Sequence, residues 1–244
     1  MILNNITENL CIPANKIIIA HIKLKGLDTF QSYNSLSKNI ISNIIKCYDP
    51  LSILIPTFTY SFAINGRYCR DTTVSEVGRF SEEVRINSNN NLRTLNPIFS
   101  FIDSGNILSN SRIDNTTAFG KHSIFDLLSN LGFINLNINL DDFVSTYLHY
   151  IEYKCNVPYR YNKIFNGKVS KTGSIWKNIE FNYFVRYLNK KTKWNRKKIE
   201  SLLIKNNILN SFKRDDIKIN WFYSKKCKEI LFKKISQDIN YLIT

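Results

Sequence analysis

Residues 16–56 contain three apolar runs, KIIIAH at residues 16–21, NIISNIIK at residues 39–46 and LSILIP at residues 51–56. The first and third runs are rich in β-branched residues and too short for helices, so each predicts a buried strand. Between them, apolar residues recur at helical spacing behind an N-cap at Asn34 or Ser35. They are Leu36, Ile40, Ile41, Ile44 and Ile45. This order predicts a β-α-β unit with two parallel strands.

The composition is that of a folded globular protein. The chain has 244 residues, of which 43% are hydrophobic, enough for one sizeable α/β domain or two small ones. It has no apolar run of about 18 residues and no signal-peptide pattern, so we expect neither a membrane span nor export. The five dispersed cysteines predict reduced thiols, a cytoplasmic location and no metal site.

The positive charge is confined to the C-terminal third of the chain. Residues 1–159 are balanced, with 13 basic and 13 acidic residues, whereas residues 160–244 hold 21 basic and 6 acidic residues. Two amphipathic helices, near residues 193–205 and 225–242, carry much of this charge. Two interpretations stay open, a solvated surface and a positive field that attracts an anionic ligand.

The middle of the chain has a long polar segment and then regular elements. Residues 57–114 predict a loop-rich region with a binding or catalytic role. Ile124 to Leu131 predict a helix that ends at Gly132. Residues 135–140 alternate as in a half-buried strand, and Asp141 or Asp142 would cap a following helix. Turn signals at residues 166–167 and 172–173 predict short strands, and the last fifty residues look helical.

Thr146, His149 and Glu152 form the strongest local constellation. Their spacing of three places them along one stripe of the predicted helix. The Glu152 carboxylate can accept a hydrogen bond from one ring N–H of His149, which fixes the tautomer and leaves the other nitrogen as a base. A surface salt link is the alternative for this pair. The other two histidines, His21 and His122, are expected to be structural.

Six motifs in a fixed order make this chain similar to the aminoglycoside 3-N-acetyltransferase family, which includes sugar N-acyltransferases of surface-polysaccharide pathways. The motifs are Ala20-His21, IPTFTYSF at 55–62, SEVGRFSEEVR at 75–85, RTLNPIFS at 93–100, FGKHS at 119–123 and TYLHYIE at 146–152. The resemblance implies a three-layer α/β/α fold with a central mixed sheet. Residues 1–165 would form the acyl-coenzyme A-dependent transferase core. Residues 166–244 would form a basic C-terminal hairpin and helical subdomain, within the same domain or as a small lobe.

The resemblance also implies roles for individual residues. His149 would be the general base, Glu152 would orient it, and Thr146 would stabilise the developing oxyanion. The residues assigned to coenzyme A are Lys23, Thr57, Asn96, Ser100, Phe119 and Gly120. Those assigned to the acceptor are Tyr60, Glu82, Arg85, Arg93 and Arg160.

The net charge of +15 directs the choice of acceptor. It would repel a polycationic aminoglycoside and attract a nucleotide-diphosphate amino sugar, such as a thymidine-diphosphate aminodideoxyhexose used in lipopolysaccharide O-antigen synthesis. An aminoglycoside 3-N-acetyltransferase, a nucleic-acid-binding protein and an inactive sugar-nucleotide binder are the alternatives. We expect no nucleic-acid or membrane partner, and the oligomeric state stays open, with a homodimer as one option.

Overall fold

The computed structural model describes residues 10–27, 30–189 and 192–243. Its strands are β1 (Ile17–Ile22), β2 (Ser52–Pro56), β3 (Arg67–Cys69), β4 (Phe101–Asp103), β5 (Phe133–Ile138), β6 (Arg160–Ser170), β7 (Trp176–Arg186), β8 (Asn210–Arg214) and β9 (Ile217–Tyr223). Its α-helices are α1 (Tyr33–Tyr48), α2 (Phe62–Asn65), α3 (Arg79–Asn87), α4 (Ile124–Leu131), α5 (Tyr147–Lys154), α6 (Arg196–Lys205) and α7 (Ser224–Gln237). A short 3₁₀ helix spans Asn90–Leu92.

The central sheet is mixed and has the strand order β4-β2-β1-β5-β9-β8. Strand β1 pairs in parallel with β2 and β5, while the β2–β4, β5–β9 and β8–β9 pairs are antiparallel. The predicted β-α-β unit is therefore confirmed, with α1 capped by Ser32 rather than by Asn34 or Ser35. The last two strands come from the basic C-terminal segment, so this segment continues the central sheet.

Successive residues of β1 enter two different hydrophobic cores, as expected for a strand covered on both faces. Ile17 and Ile19 pack with buried residues of α4, α5, α6 and α7, whereas Ile18 and Ala20 pack with those of α1 and α3. Helices thus cover both faces of the sheet, and the predicted three-layer α/β/α fold is confirmed. Within the residues that the structure describes, no helix is long and apolar enough to cross a bilayer.

A second sheet has the order β3-β6-β7. Its two long strands form an antiparallel hairpin in which the first residue of β6, Arg160, pairs with the last residue of β7, Arg186. The sequence predicts a turn at Asn166-Gly167, but both residues lie inside β6. That expectation was wrong because Gly167 serves a close approach of backbones: a Cβ there would lie 2.5 Å from the carbonyl oxygen of Gly66.

Several boundaries differ from the expectations. The helix expected after Asp141 begins at Tyr147, and the aspartates do not cap it. Strand β5 is buried along its whole length rather than half-buried. Its polar side chains are hydrogen-bonded inside the protein: Asn135 Nδ2 donates to the Val144 carbonyl, and Asn137 Nδ2 donates to Asn220 Oδ1. Because these amide groups are hydrogen-bonded, their burial is tolerable. Polar and apolar residues therefore alternate along a strand that is buried on both faces.

Two regions contain more regular structure than expected. The predicted loop region at residues 57–114 includes α2, β3, α3 and β4. The last fifty residues were expected to be helical, yet β8 and β9 separate α6 from α7. The turn between these strands has Asp215 at a φ of 51°, a conformation that aspartate adopts more readily than most residues. The helix predicted at Ile124–Leu131 is confirmed as α4, with Ser123 as its N-cap.

Candidate active site

The predicted pair of His149 and Glu152 is present on α5. His149 Nδ1 lies 2.9 Å from Glu152 Oε2. The carboxylate is fully buried, whereas the imidazole keeps 23% of its surface exposed. Because Nδ1 is turned toward Glu152, Nε2 is the ring nitrogen left for a ligand.

Two further side chains complete the polar cluster, and they come from distant parts of the chain. Arg160, at the start of β6, places Nη2 2.8 Å from His149 Nδ1 and Nε 2.7 Å from Glu152 Oε2. Trp194, just before α6, donates its indole N–H to Glu152 Oε1 at 2.7 Å. Its ring packs against the imidazole of His149, with 4.3 Å between the ring centroids. Both carboxylate oxygens of Glu152 are therefore in contact with polar groups.

Burial and charge set the ionisation of the pair. Burial lowers the pKa of His149, and the Arg160 charge lowers it further, while the hydrogen bond to Glu152 opposes both effects; the net pKa lies below the usual 6.5. Burial alone would raise the pKa of Glu152, but the interactions with His149, Arg160 and Trp194 hold it below its usual value. At neutral pH the site thus combines a neutral imidazole with a carboxylate.

His149 lines a cavity of about 770 Å³. Five cationic side chains line the same cavity, and they are Arg160, Lys163, Arg186, Lys193 and Arg196. The aromatic lining residues are Tyr60, Tyr161, Phe165, Tyr183 and Trp194. No carboxylate is among the described residues that line it. A basic, aromatic cavity of this kind favours an anionic ligand with flat or apolar parts.

Of the five predicted acceptor residues, Tyr60 and Arg160 line the cavity. The structure places the other three elsewhere. Arg85 makes a bidentate pair with Glu82, with both N···O distances at 2.7 Å, and donates to the Asp71 carbonyl. Arg93 is buried and donates to side-chain and backbone oxygens of neighbouring residues, so its guanidinium is used inside the protein.

The predicted coenzyme A residues are not among those that line the cavity. Lys23 forms an ion pair with Asp141 at 2.8 Å. Thr57 and Ser100 are buried, with 3.0 Å between their hydroxyl oxygens, and Asn96 Oδ1 accepts from the backbone N–H of Phe99. Phe119 is buried with its ring centroid 6.3 Å from that of His149. At Gly120 a Cβ would lie 2.7 Å from Thr117 Oγ1.

Thr146 precedes α5, and its carbonyl oxygen accepts from the His149 N–H at 3.0 Å. It lines a separate small pocket together with His21, Asn135 and several aromatic residues. The structure thus brings His149 and Glu152 together and places Thr146 one turn away, in a packing gap that is separate from the cavity and too small to admit a ligand.

Trp194 and four of the cations that line the cavity were not predicted to belong to the site. These cations are Lys163, Arg186, Lys193 and Arg196. Trp194 stands between Lys193 and Arg196, and we interpreted this stretch as an amphipathic surface helix. A tryptophan among lysines just before a helix was the available signal, because a large aromatic ring is seldom placed in solvent without a partner. Lys163 and Arg186 lie on strands whose alternation alone does not show which face meets α5.

Most of the chain matches a known protein family. The profile of the aminoglycoside 3-N-acetyltransferase family matches residues 57–231, well over half of the chain. The chain belongs to this family. It is thus a member of an acetyltransferase family, and the predicted histidine–glutamate pair lies within the matched residues, at positions 149 and 152. No curated protein matches the sequence significantly.

Solved structures have the same fold as this family member at low sequence identity. The AAC-IIIb binary complex with CoASH superposes with a TM-score of 0.77 at 11% identity, covering 96% of this chain and 95% of that one. AAC(3)-IVa, as a histidine-to-alanine variant in complex with a gentamicin, gives 0.71 at 11% identity, with 98% and 89% covered. The YokD protein from Bacillus subtilis gives 0.72 at 15% identity, with 97% and 98% covered.

Proposed function

We propose that this protein transfers an acyl group from acyl-coenzyme A to the amino group of a nucleotide-linked amino sugar, such as a thymidine-diphosphate aminodideoxyhexose, in surface-polysaccharide synthesis. The observation that carries the proposal is the His149–Glu152 pair at the wall of a cavity lined by five cations. Family membership supports the acyl transfer, and the charge of the cavity supports the anionic acceptor.

In this proposal the proton leaves the attacking amine for His149. Nε2 accepts the proton as the amine nitrogen forms its bond to the thioester carbonyl carbon, and the buried Glu152 carboxylate stabilises the imidazolium that results. When the carbon–sulfur bond then breaks, the imidazolium returns this proton to the leaving thiolate, and His149 is again neutral. Trp194 fixes the carboxylate through Oε1 and packs on the imidazole, which limits the motion of both groups. No acyl group needs to be carried by the protein.

The negative charge that develops on the carbonyl oxygen needs a hydrogen-bond donor. We propose Thr146, or a backbone N–H beside it, for this role, because it directly precedes α5 and lies one turn from His149.

The cavity fits the anionic part of coenzyme A as well as a nucleotide sugar. Lys163, Arg186 and Lys193 offer positive charge for phosphates, and Tyr161, which lines the same cavity, has its ring centroid 4.6 Å from that of Tyr187. Aromatic faces next to cations are a common way to hold a nucleotide. A solved relative contains CoASH, which supports this use of a related fold. When bound, the coenzyme supplies the activated acyl group as a thioester.

The choice of acceptor follows from electrostatics. Two solved relatives contain a gentamicin or sisomicin, so an aminoglycoside is the second candidate acceptor. Arg160 and Arg196 are paired with Glu152 and Asp142, but a polycationic drug would still meet the charges of Lys163, Arg186 and Lys193. No carboxylate is among the described residues that line the cavity. We therefore favour an acceptor that carries phosphates.

A panel assay tests the proposal. Purified protein would be given acetyl-coenzyme A or longer acyl donors with nucleotide amino sugars or with kanamycin-type aminoglycosides, and free thiol would be measured. We expect the highest kcat/KM with a nucleotide amino sugar. Much faster acylation of the aminoglycosides would overturn the choice of acceptor, and a failure of both acceptor classes to stimulate thiol release would overturn the N-acyltransferase proposal.

A further inference from the structure

Nδ1 of His149 has two polar neighbours, of which one can only accept and the other can only donate a hydrogen bond. Glu152 Oε2, at 2.9 Å, is a carboxylate oxygen that can only accept a hydrogen bond. Arg160 Nη2, at 2.8 Å, belongs to a guanidinium that can only donate. The imidazole is neutral at pH 7 because its pKa is lowered, so it has a single N–H. Nδ1 can therefore satisfy one of these neighbours at a time.

The two arrangements differ in chemistry. If Nδ1 donates to Glu152, the proton is on Nδ1, and Nε2 has the lone pair that a general base requires. If Nδ1 accepts from Arg160, the proton is on Nε2, and the ring cannot take a proton from an amine. The position of the Arg160 guanidinium thus decides whether His149 is a base.

The buried Arg160 guanidinium has few well-aligned hydrogen bonds. Its Nε lies 2.7 Å from Glu152 Oε2 as an ion pair, yet this buried N–H lacks the alignment of a hydrogen bond. Its Nη1 reaches the Phe184 carbonyl only at 3.4 Å. The guanidinium also lines the cavity in which Arg186 and three other cations repel it. An anion in the cavity would offer Nη2 a better acceptor than a neutral ring nitrogen.

We propose that Arg160 is a positioning residue that holds His149 in its non-basic tautomer until a diphosphate group enters the cavity and accepts the Nη2 donor. Nε2 then gives its proton to water, Nδ1 takes one up and donates to Glu152, and the ring carries no net change in protons. This inference rests on the proposed function. It makes binding of an anionic co-substrate a condition for the base to form.

The tautomer can be observed directly by ¹⁵N NMR of the histidine side chains at pH 7.5, without turnover. Signals of His21 and His122 are identified with the variants His21→Asn and His122→Asn. In the free protein we expect the proton of His149 on Nε2. In Arg160→Met we expect it on Nδ1, with the tautomer ratio changed by about tenfold or more, since a hydrogen bond from a charged donor is lost.

Two ligands, tested separately, identify the molecule that supplies the diphosphate. Thymidine diphosphate and CoASH are added separately to the wild-type protein, and we expect at least one of them to move the proton to Nδ1. A shift with thymidine diphosphate assigns the release of Arg160 to the acceptor, and a shift with CoASH assigns it to the donor. The proposal is overturned if free wild-type protein already has the proton on Nδ1, or if it stays on Nε2 with both probes at saturation.

A second variant protects the test against misfolding. Arg160→Lys keeps a charge beside Glu152 but replaces the two-pronged guanidinium by a single shorter ammonium group, so we again expect the proton on Nδ1. Because the readout is a chemical shift, a protein that acylates no nucleotide amino sugar can still show the switch. Conversely, an active enzyme with the proton on Nδ1 in every sample would contradict this inference alone.

Discussion

The indole N–H of Trp194 donates to Glu152 Oε1 at 2.7 Å, across 42 positions of sequence. The bond ties the segment before α6 to the helix that carries His149, and the indole ring covers one side of the imidazole. The basic C-terminal segment therefore supplies part of the candidate active site, in addition to two strands of the central sheet.

Removing this N–H while keeping an aromatic ring should weaken catalysis more than folding. In Trp194→Phe one oxygen of the buried Glu152 loses its donor, and we expect kcat to fall about tenfold, which corresponds to the worth of one hydrogen bond to a charged group. The measurement is acyl transfer by thiol release. Trp176→Phe is the matched control because this residue donates to the Gly173 carbonyl in the hairpin turn. Equal kcat in both variants would contradict the role of Trp194.

Arg93 should contribute to the stability of the fold, although the sequence analysis assigned it to binding of the acceptor substrate. Its guanidinium donates to oxygens of Thr57, Ser100 and Arg70 in the protein interior. Arg93→Met would remove these buried hydrogen bonds from a charged donor, and we expect the free energy of unfolding to fall by about 3 kcal/mol. Chemical denaturation checks the stability.

Lys163→Met gives the opposite comparison, because Lys163 lines the cavity and is exposed. Here we expect an unchanged free energy of unfolding and a raised KM for the anionic acceptor. If Arg93→Met keeps full stability and only raises KM, the assignment of Arg93 to the interior network fails.

Charges that line the cavity should lower KM for the anionic acceptor more than charges elsewhere on the protein. We expect Lys193→Glu to raise KM for a nucleotide amino sugar about fivefold at low salt, and less in high salt because the phosphate interaction is screened. Lys233→Glu on α7 is the control, since it changes the net charge equally at an exposed position outside the cavity. Similar effects of both substitutions would show that only the overall charge matters.

His21 should make the protein less stable in mild acid. Burial lowers its pKa from 6.5 to about 4 in the folded protein. Between these values the unfolded chain binds a proton that the folded chain does not, so the free energy of unfolding falls as the pH drops from 6.5 to 4, by at most about 3 kcal/mol. We expect His21→Gln to flatten this part of the profile, measured by urea unfolding at several pH values. An unchanged slope would contradict the assignment.

The fold class and the pair of His149 and Glu152 could be predicted from the sequence, because both depend on patterns among residues that are close together in the chain. The isoleucine-rich run at residues 17–19 and the helical spacing in α1 depend on near neighbours, so the β-α-β unit was predictable. The same holds for His149 and Glu152, which share one face of one helix. By contrast, Asn135 and Asn137 look like solvent-facing strand positions, because their buried partners Val144 and Asn220 are not visible in a local pattern.

The parts of the site that were missed depend on contacts between distant residues. Arg160 was predicted as an acceptor contact, but its position beside both Glu152 and His149 requires the pairing of β6 with β7 and the packing of the hairpin near α5. Arg93 was expected to contact a phosphate or hydroxyl group of the anionic acceptor. The interior network of backbone oxygens that holds it has no signature in the sequence.

The most direct test of the account compares thiol release from acetyl-coenzyme A by wild-type protein, His149→Ala and His122→Asn, each with a nucleotide amino sugar as the acceptor. His122 is exposed and has a φ of 62°, which asparagine also adopts, so its replacement should leave activity unchanged. We predict that His149→Ala lowers kcat by about 10²–10⁴-fold with the fold intact by circular dichroism. A folded His149→Ala protein that releases thiol at the wild-type rate would contradict the assignment of His149 as the base.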